Sequence, residues 1–219
     1  MSALLVRSLL AIACVAIPQC SIANSPSDPD VLTVFVHSAS EVPANSMTAM
    51  REEVARLLEG SGLRVDWKSM SDRKPGEDYP RLVKVDLRGP CAAGPLVPGL
   101  AETRSLASTA VVDGRILPFA SVDCDRLRRF MAPGFNSVRQ DKWPELFGRA
   151  MGRVVAHEIF HMVVQTRHHA EKGVSKAGFS VNDLTSDKFQ FDEFTLAQLR
   201  PTGPATAAIE QEDEAEPAR

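Results

Sequence analysis

The chain has 219 residues, with 25 basic and 28 acidic side chains for a net charge of −3, and 44% of it is apolar. That is enough apolar material for one soluble domain with appendages, and a weakly acidic chain without a basic cluster argues against nucleic acid as a partner. No internal repeat and no glycine-rich phosphate loop is present, which excludes repeat architectures and phosphate-loop nucleotide chemistry.

The chain opens on MSALLVRSLLAIACVAIPQCSIAN, with a positive start at Arg7, an apolar run too short for a membrane span and a small-residue site at Ser21-Ile22-Ala23. This predicts a secretory signal peptide over residues 1–23 and no transmembrane anchor in the mature chain, which places the protein in the periplasm or outside the cell. A lipoprotein site at Cys14 fits less well, because Ala11-Ile12-Ala13 is an imperfect lipobox inside the apolar run, and Cys20 after Gln19 fits less still.

A domain over residues 30–199 follows. Alternation predicts a first strand at Val31 to Val36, then an amphipathic helix at Ser46 to Leu58 with Asn45 or Ser46 as its cap, ended by Gly60 and Gly62. Leu63 to Lys68 is a second strand carrying Trp67. The charged segment Ser71 to Tyr79 loops out before a third strand at Leu82 to Leu87, and the Gly- and Pro-rich stretch Gly89 to Gly99 is a long loop. Strands at Ser108 to Val112 and Leu117 to Val122 flank Asp113-Gly114 as a hairpin turn, and a helix spans Asp125 to Met131. A loop to Lys142 leads into a long apolar helix. Ser180 or Asn182 starts a short helix, and Phe191 to Leu199 forms another. Residues 200–219 are rich in Pro, Ala and acid with little to bury, so a disordered acidic tail is expected.

Removing the signal leaves Cys91 and Cys124, and an even pair in an exported chain predicts one disulfide worth roughly 3 kcal/mol through loop closure. The alternative is two buried thiols. A cysteine-ligated metal is disfavoured because neither cysteine has a close second partner.

The long helix carries His157-Glu158-Ile159-Phe160-His161, an HExxH sequence. Histidines four apart on a helix share one face, so both can reach one metal ion with Glu158 beside them as general base. Leu146, Ala150, Met151, Val154, Val155, Phe160, Met162 and Val163 make this helix apolar on most of its circumference, which marks it as buried. Placing two histidines and a carboxylate there costs free energy unless they are paired or bound. Histidines hydrogen-bonded within the core are the plain alternative. A catalytic zinc site takes three protein ligands, and His168 and His169 are the candidates for the third. On an unbroken helix His168 would lie about 10 Å too far along the axis, so the chain must turn back, with Gln165-Thr166-Arg167 as the helix end.

The run GRAMGRVVAHEIFHMVVQTRHHAEKGVSKAGFSVNDL, Gly148 to Leu184, resembles bacterial metzincin-like metalloproteases, whose pattern is HExxH, seven residues, His-x-x-x-Gly, then a W/F-S-x-x-D-L stretch. The resemblance implies metal ligands at His157, His161 and His169, the base at Glu158, Gly173 as the trailing glycine, and Phe179, Ser180, Asp183 and Leu184 as the last element. Val31 to Trp67 is similar to the strand and helix that precede the catalytic helix in these proteins, so the likeness covers most of the mature chain. Against typical metzincins, the gap to the third histidine is longer, and Val164 lies where a glycine follows HExxH. Gly173-Val174-Ser175 replaces the Gly-Ile-Met of relatives, and Tyr79, the single tyrosine, lies far upstream. Arg167 is a candidate to help an oxyanion, with a plain surface role as the alternative.

The resemblance implies an α+β metzincin-like zincin fold, a mixed sheet with an active-site helix, in which a strand near the cleft pairs with an extended peptide. Leu117 to Val122 is a candidate for that edge, or equally an interior strand. The expected function is an exported zinc (Zn2+) metallopeptidase acting on a peptide or protein substrate. A zinc-binding but non-catalytic exported protein is the alternative, and an interaction domain with an accidental HExxH is a third reading.

Overall fold

The computed structural model describes residue 28, residues 30–94 and residues 105–201. The expected signal segment, residues 95–99 of the Gly- and Pro-rich loop, and the expected tail beyond Pro201 lie outside the described residues.

The order is strand β1 (Val31–Ser38), helix α1 (Ala44–Leu58), strands β2 (Arg64–Ser69), β3 (Leu82–Arg88), β4 (Ala107–Val112) and β5 (Arg115–Asp123), then helices α2 (Cys124–Phe135), α3 (Trp143–Val164), α4 (Val181–Thr185) and α5 (Glu193–Gln198). The five strands form one mixed sheet in the order β2-β1-β3-β5-β4. β1 pairs in parallel with β2 and β3, β3 pairs in parallel with β5, and β4 is antiparallel to β5. This is the α+β class expected. The segment Leu117 to Val122 therefore belongs to an interior strand, and the edge beside it is β4. Asp113 and Gly114 both take positive φ, 49° and 77°, as a two-residue hairpin turn requires.

Parallel strands covered by a helical layer read as runs of apolar residues, and Val34, Val85 and Val122 are fully buried against Met50 and Val54 of α1 and Phe147 and Val155 of α3. α1 lies directly along α3. Gly148 makes this approach possible: a Cβ there would overlap the Ser46 carbonyl oxygen and fall 2.8 Å from the Ala49 methyl. The same contact changes how α1 begins. It starts at Ala44 after Pro43 with no side-chain cap, and Ser46, expected near the cap, instead donates its hydroxyl to the Pro144 carbonyl at 2.9 Å. Tertiary packing takes the hydroxyl that local capping would have used.

α2 runs past the expected Met131 to Phe135 in spite of Pro133. Burial of Phe135 against Trp143 and Phe147, with ring centroids 5.5 and 6.3 Å away, offsets the interrupted last turn. Asp123 caps α2, and a disulfide joins its first residue, Cys124, to Cys91 just beyond β3, with Cα atoms 4.9 Å apart. The start of α2 is thus tied to two adjacent strands. The short C-terminal helices are capped by Ser180 and Asp192.

Candidate metal centre

Apart from Arg149, helix α3 is buried from Leu146 to Met162, and its charged and polar residues each have a partner. Arg153, fully buried, donates from Nε to Glu53 Oε1 at 2.6 Å and from Nη1 to the Asp183 carbonyl at 2.6 Å, while its guanidinium lies 5.6 Å from the Phe189 ring centre. Arg56 reaches the same Glu53 carboxylate at 2.9 and 2.7 Å and also the Phe189 carbonyl at 2.8 Å. This network fixes α1, α3 and the segment after α3 one turn before the first histidine.

The helix ends at its cap residue Gln165, four residues before His169. Gln165 takes the left-handed conformation, φ 55° and ψ 40°, and its side chain donates to the Met162 carbonyl at 2.6 Å. The chain then returns along the helix, and the ring of His169 stacks on His157 at 5.2 Å and meets His161 edge-on at 4.8 Å. One nitrogen from each of His157, His161 and His169 lies within 4.8 Å of the others. His168 is exposed and stands outside this group.

The returning segment also orients the first histidine. Gly173 has φ +74°, and a Cβ there would fall 2.7 Å from the Gln190 carbonyl oxygen, so glycine is required twice over. Val174 follows, its N–H bonded to that same carbonyl at 3.1 Å and its own carbonyl accepting from His157 Nδ1 at 2.7 Å. The Phe179 ring stands edge-on to His157 at 5.4 Å. Ser180 and Asp183 form a reciprocal cap at the start of α4, and Leu184 is fully buried. Val174 and Phe179 form the wall behind His157.

The donor chemistry can be tested on the hydrogen bonds. His161 Nδ1 lies 2.7 Å from the Thr166 carbonyl, as His157 Nδ1 does from that of Val174. A carbonyl only accepts, so both Nδ1 atoms carry the proton and each Nε2 is left with a bare lone pair. Yet the two Nε2 atoms face each other at 3.0 Å. Two acceptors at that distance repel unless a cation lies between them. A proton is a poor cation here, because burial, reinforced by the neighbouring imidazoles, pushes His157 down to about 4, and burial also lowers His161 and His169. Three clustered imidazoles, two of them with Nε2 lone pairs facing each other, fit a metal ion.

Glu158 faces a cleft of about 350 Å³ whose walls include Ser108, Thr109, Val111, Ile116, Arg167 and the three histidines. The residue is 5% exposed, and its carboxylate accepts from Thr109 Oγ1 at 2.6 Å and is pushed up to about 7 by burial, with the threonine bond opposing. Arg167 lines the cleft as an exposed side chain. Tyr79 does not reach it: its ring packs on Phe35 at 5.2 Å and its hydroxyl bonds Glu77.

Thr109 and the Glu53–Arg153 pair carry no local signal in the sequence, since they meet their partners only through the fold. Among the described residues no helix is long and apolar enough to cross a membrane. No family model, curated protein or solved structure matches the chain.

Proposed function

We propose that the protein is an exported zinc metallopeptidase of the metzincin-like type, with His157, His161 and His169 as metal ligands and Glu158 as general base. One observation carries the reading: three imidazoles converge beside a buried glutamate in a cleft lined by an edge strand. The succession of strand, helix, strands and long histidine-bearing helix supports the family resemblance, and the Cys91–Cys124 disulfide supports export.

Zinc in such a site supplies Lewis acidity that lowers the pKa of water toward ~7 and polarises a carbonyl. Glu158 takes the proton from the attacking water and passes it to the leaving amine. A carboxyl buried enough to titrate near neutrality suits both halves of that task. Among the described residues β4 is an edge strand, which suits pairing with an extended peptide, with Val111 beside the cleft for side-chain contact.

The test is peptide hydrolysis by the zinc-loaded mature chain beside Glu158→Gln. The variant keeps its zinc and loses turnover by about 100-fold or more, the contribution of a positioned general base. Equal turnover in both proteins removes Glu158 from this role. A zinc-binding protein without catalysis is the second reading, favoured by Tyr79 being held away from the cleft; zinc without hydrolysis across a broad peptide set selects it.

A further inference from the structure

We propose that Thr109 is a positioning residue that sets the orientation of the Glu158 carboxylate, an inference that rests on Glu158 being the general base. Glu158 comes from α3 between two ligand histidines, and its side chain has three rotatable bonds. Its bond to Thr109 Oγ1, 2.6 Å long, comes from β4, 49 residues away in sequence. In a site this buried, one short bond to an ionised carboxylate is the difference between one orientation and several.

The sheet is irregular where this bond is made. Thr109 pairs with Ala120, but Val111 pairs with Ile116, so Ala110 alone opposes Leu117, Pro118 and Phe119. Pro118 has no N–H to give to the ladder, and breaks of this kind are where strands re-aim a side chain beside a functional site. The β-branched side chain of Thr109 is stiff about χ1, so the strand fixes its hydroxyl, and the hydroxyl fixes the base. β4 is also the edge strand along the cleft. Base and bound peptide therefore take their positions from the same strand, which keeps the attacking water and the scissile carbonyl in register.

The experiment compares Thr109→Val, which keeps the shape and removes the donor, with Thr109→Ser, which keeps the donor. Misplacing a base by a fraction of an ångström predicts that Thr109→Val lowers kcat about 10- to 100-fold with KM within about twofold, and that Thr109→Ser recovers most of the loss. Zinc content stays at the parent value in both. Crystal structures of the zinc-loaded proteins read the same point without turnover: in Thr109→Val the Glu158 carboxylate leaves the position it holds in the parent, and in Thr109→Ser it returns. Unchanged kcat in Thr109→Val, or a Glu158 carboxylate that does not move, overturns the inference. Zinc binding without turnover in the parent instead overturns the general-base reading, and the carboxylate position in Thr109→Val still decides whether Thr109 holds it.

Discussion

Glu53 of α1 and Glu158 of α3 are equally buried, each 5% exposed, yet the molecule treats them in opposite ways. Burial alone would raise the Glu53 carboxyl, but hydrogen bonds and charge from Arg56 and Arg153 outweigh it and hold the group below the usual carboxylate range. Among the described residues Glu158 receives one hydroxyl and no cation, so burial wins and carries it up to about 7. A buried carboxylate matched by two guanidiniums is architecture. One left almost unmatched beside three imidazoles is poised to exchange a proton and to sit near a metal ion.

The comparison breaks most visibly at Arg153. Replacing it by Met leaves Glu53 with Arg56 as its remaining guanidinium partner in a buried place, which costs about 3–5 kcal/mol and lowers the thermal midpoint by roughly 10 °C. Adding Glu53→Gln to that variant recovers part of the loss, because the buried carboxylate that has lost one of its two guanidiniums is gone. Chemical denaturation of the two variants checks this, and a midpoint unmoved by Arg153→Met would show that the network is not what holds α1 against α3.

A smaller effect isolates Glu158 through pH. In the metal-free protein the folded state keeps the Glu158 proton up to about pH 7, whereas the unfolded chain releases it near 4.5. Below pH 4.5 both states are protonated, so the parent and Glu158→Gln match in the share of stability this group sets. As pH rises from 4.5 to 7 the unfolded chain gives up this proton while the folded chain keeps it, so the parent loses stability that the variant retains, a loss that levels off above pH 7 at about 3 kcal/mol. His157, held down to about 4 by burial, moves stability the other way between pH 4 and 6.5, but it does so in both proteins and cancels in the difference. Urea titrations of the metal-free pair at pH 4.5 and pH 8 measure it, and a difference that does not grow with pH contradicts the assignment.

What was legible in the sequence was whatever is decided within a few residues. The helical spacing of His157 and His161, the turn at Asp113-Gly114, the helix end at Gln165 and the cap at Ser180 each follow from local chemistry. The cysteine pair was legible because Cys91 and Cys124 are the two cysteines beyond the expected signal segment. Strand order was not, because β5 sits between β3 and β4 through pairings that alternation does not encode. The start of α1 was missed because Ser46 serves α3, and the end of α2 because burial of Phe135 overrides Pro133. Arg153 and Glu53 lie 100 residues apart, so two ordinary charged residues gave no sign that they would be buried together. His168 and His169 were equal candidates on spacing, and the return of the chain after Gln165 separates them.

The most direct test is zinc content by mass spectrometry on the parent, His169→Ala and His168→Ala, each purified from zinc-supplemented medium. The account predicts about one zinc per chain in the parent and in His168→Ala, and a large loss in His169→Ala, as expected when a site drops from three protein ligands to two. No zinc in the parent, or a loss in His168→Ala with none in His169→Ala, would contradict it.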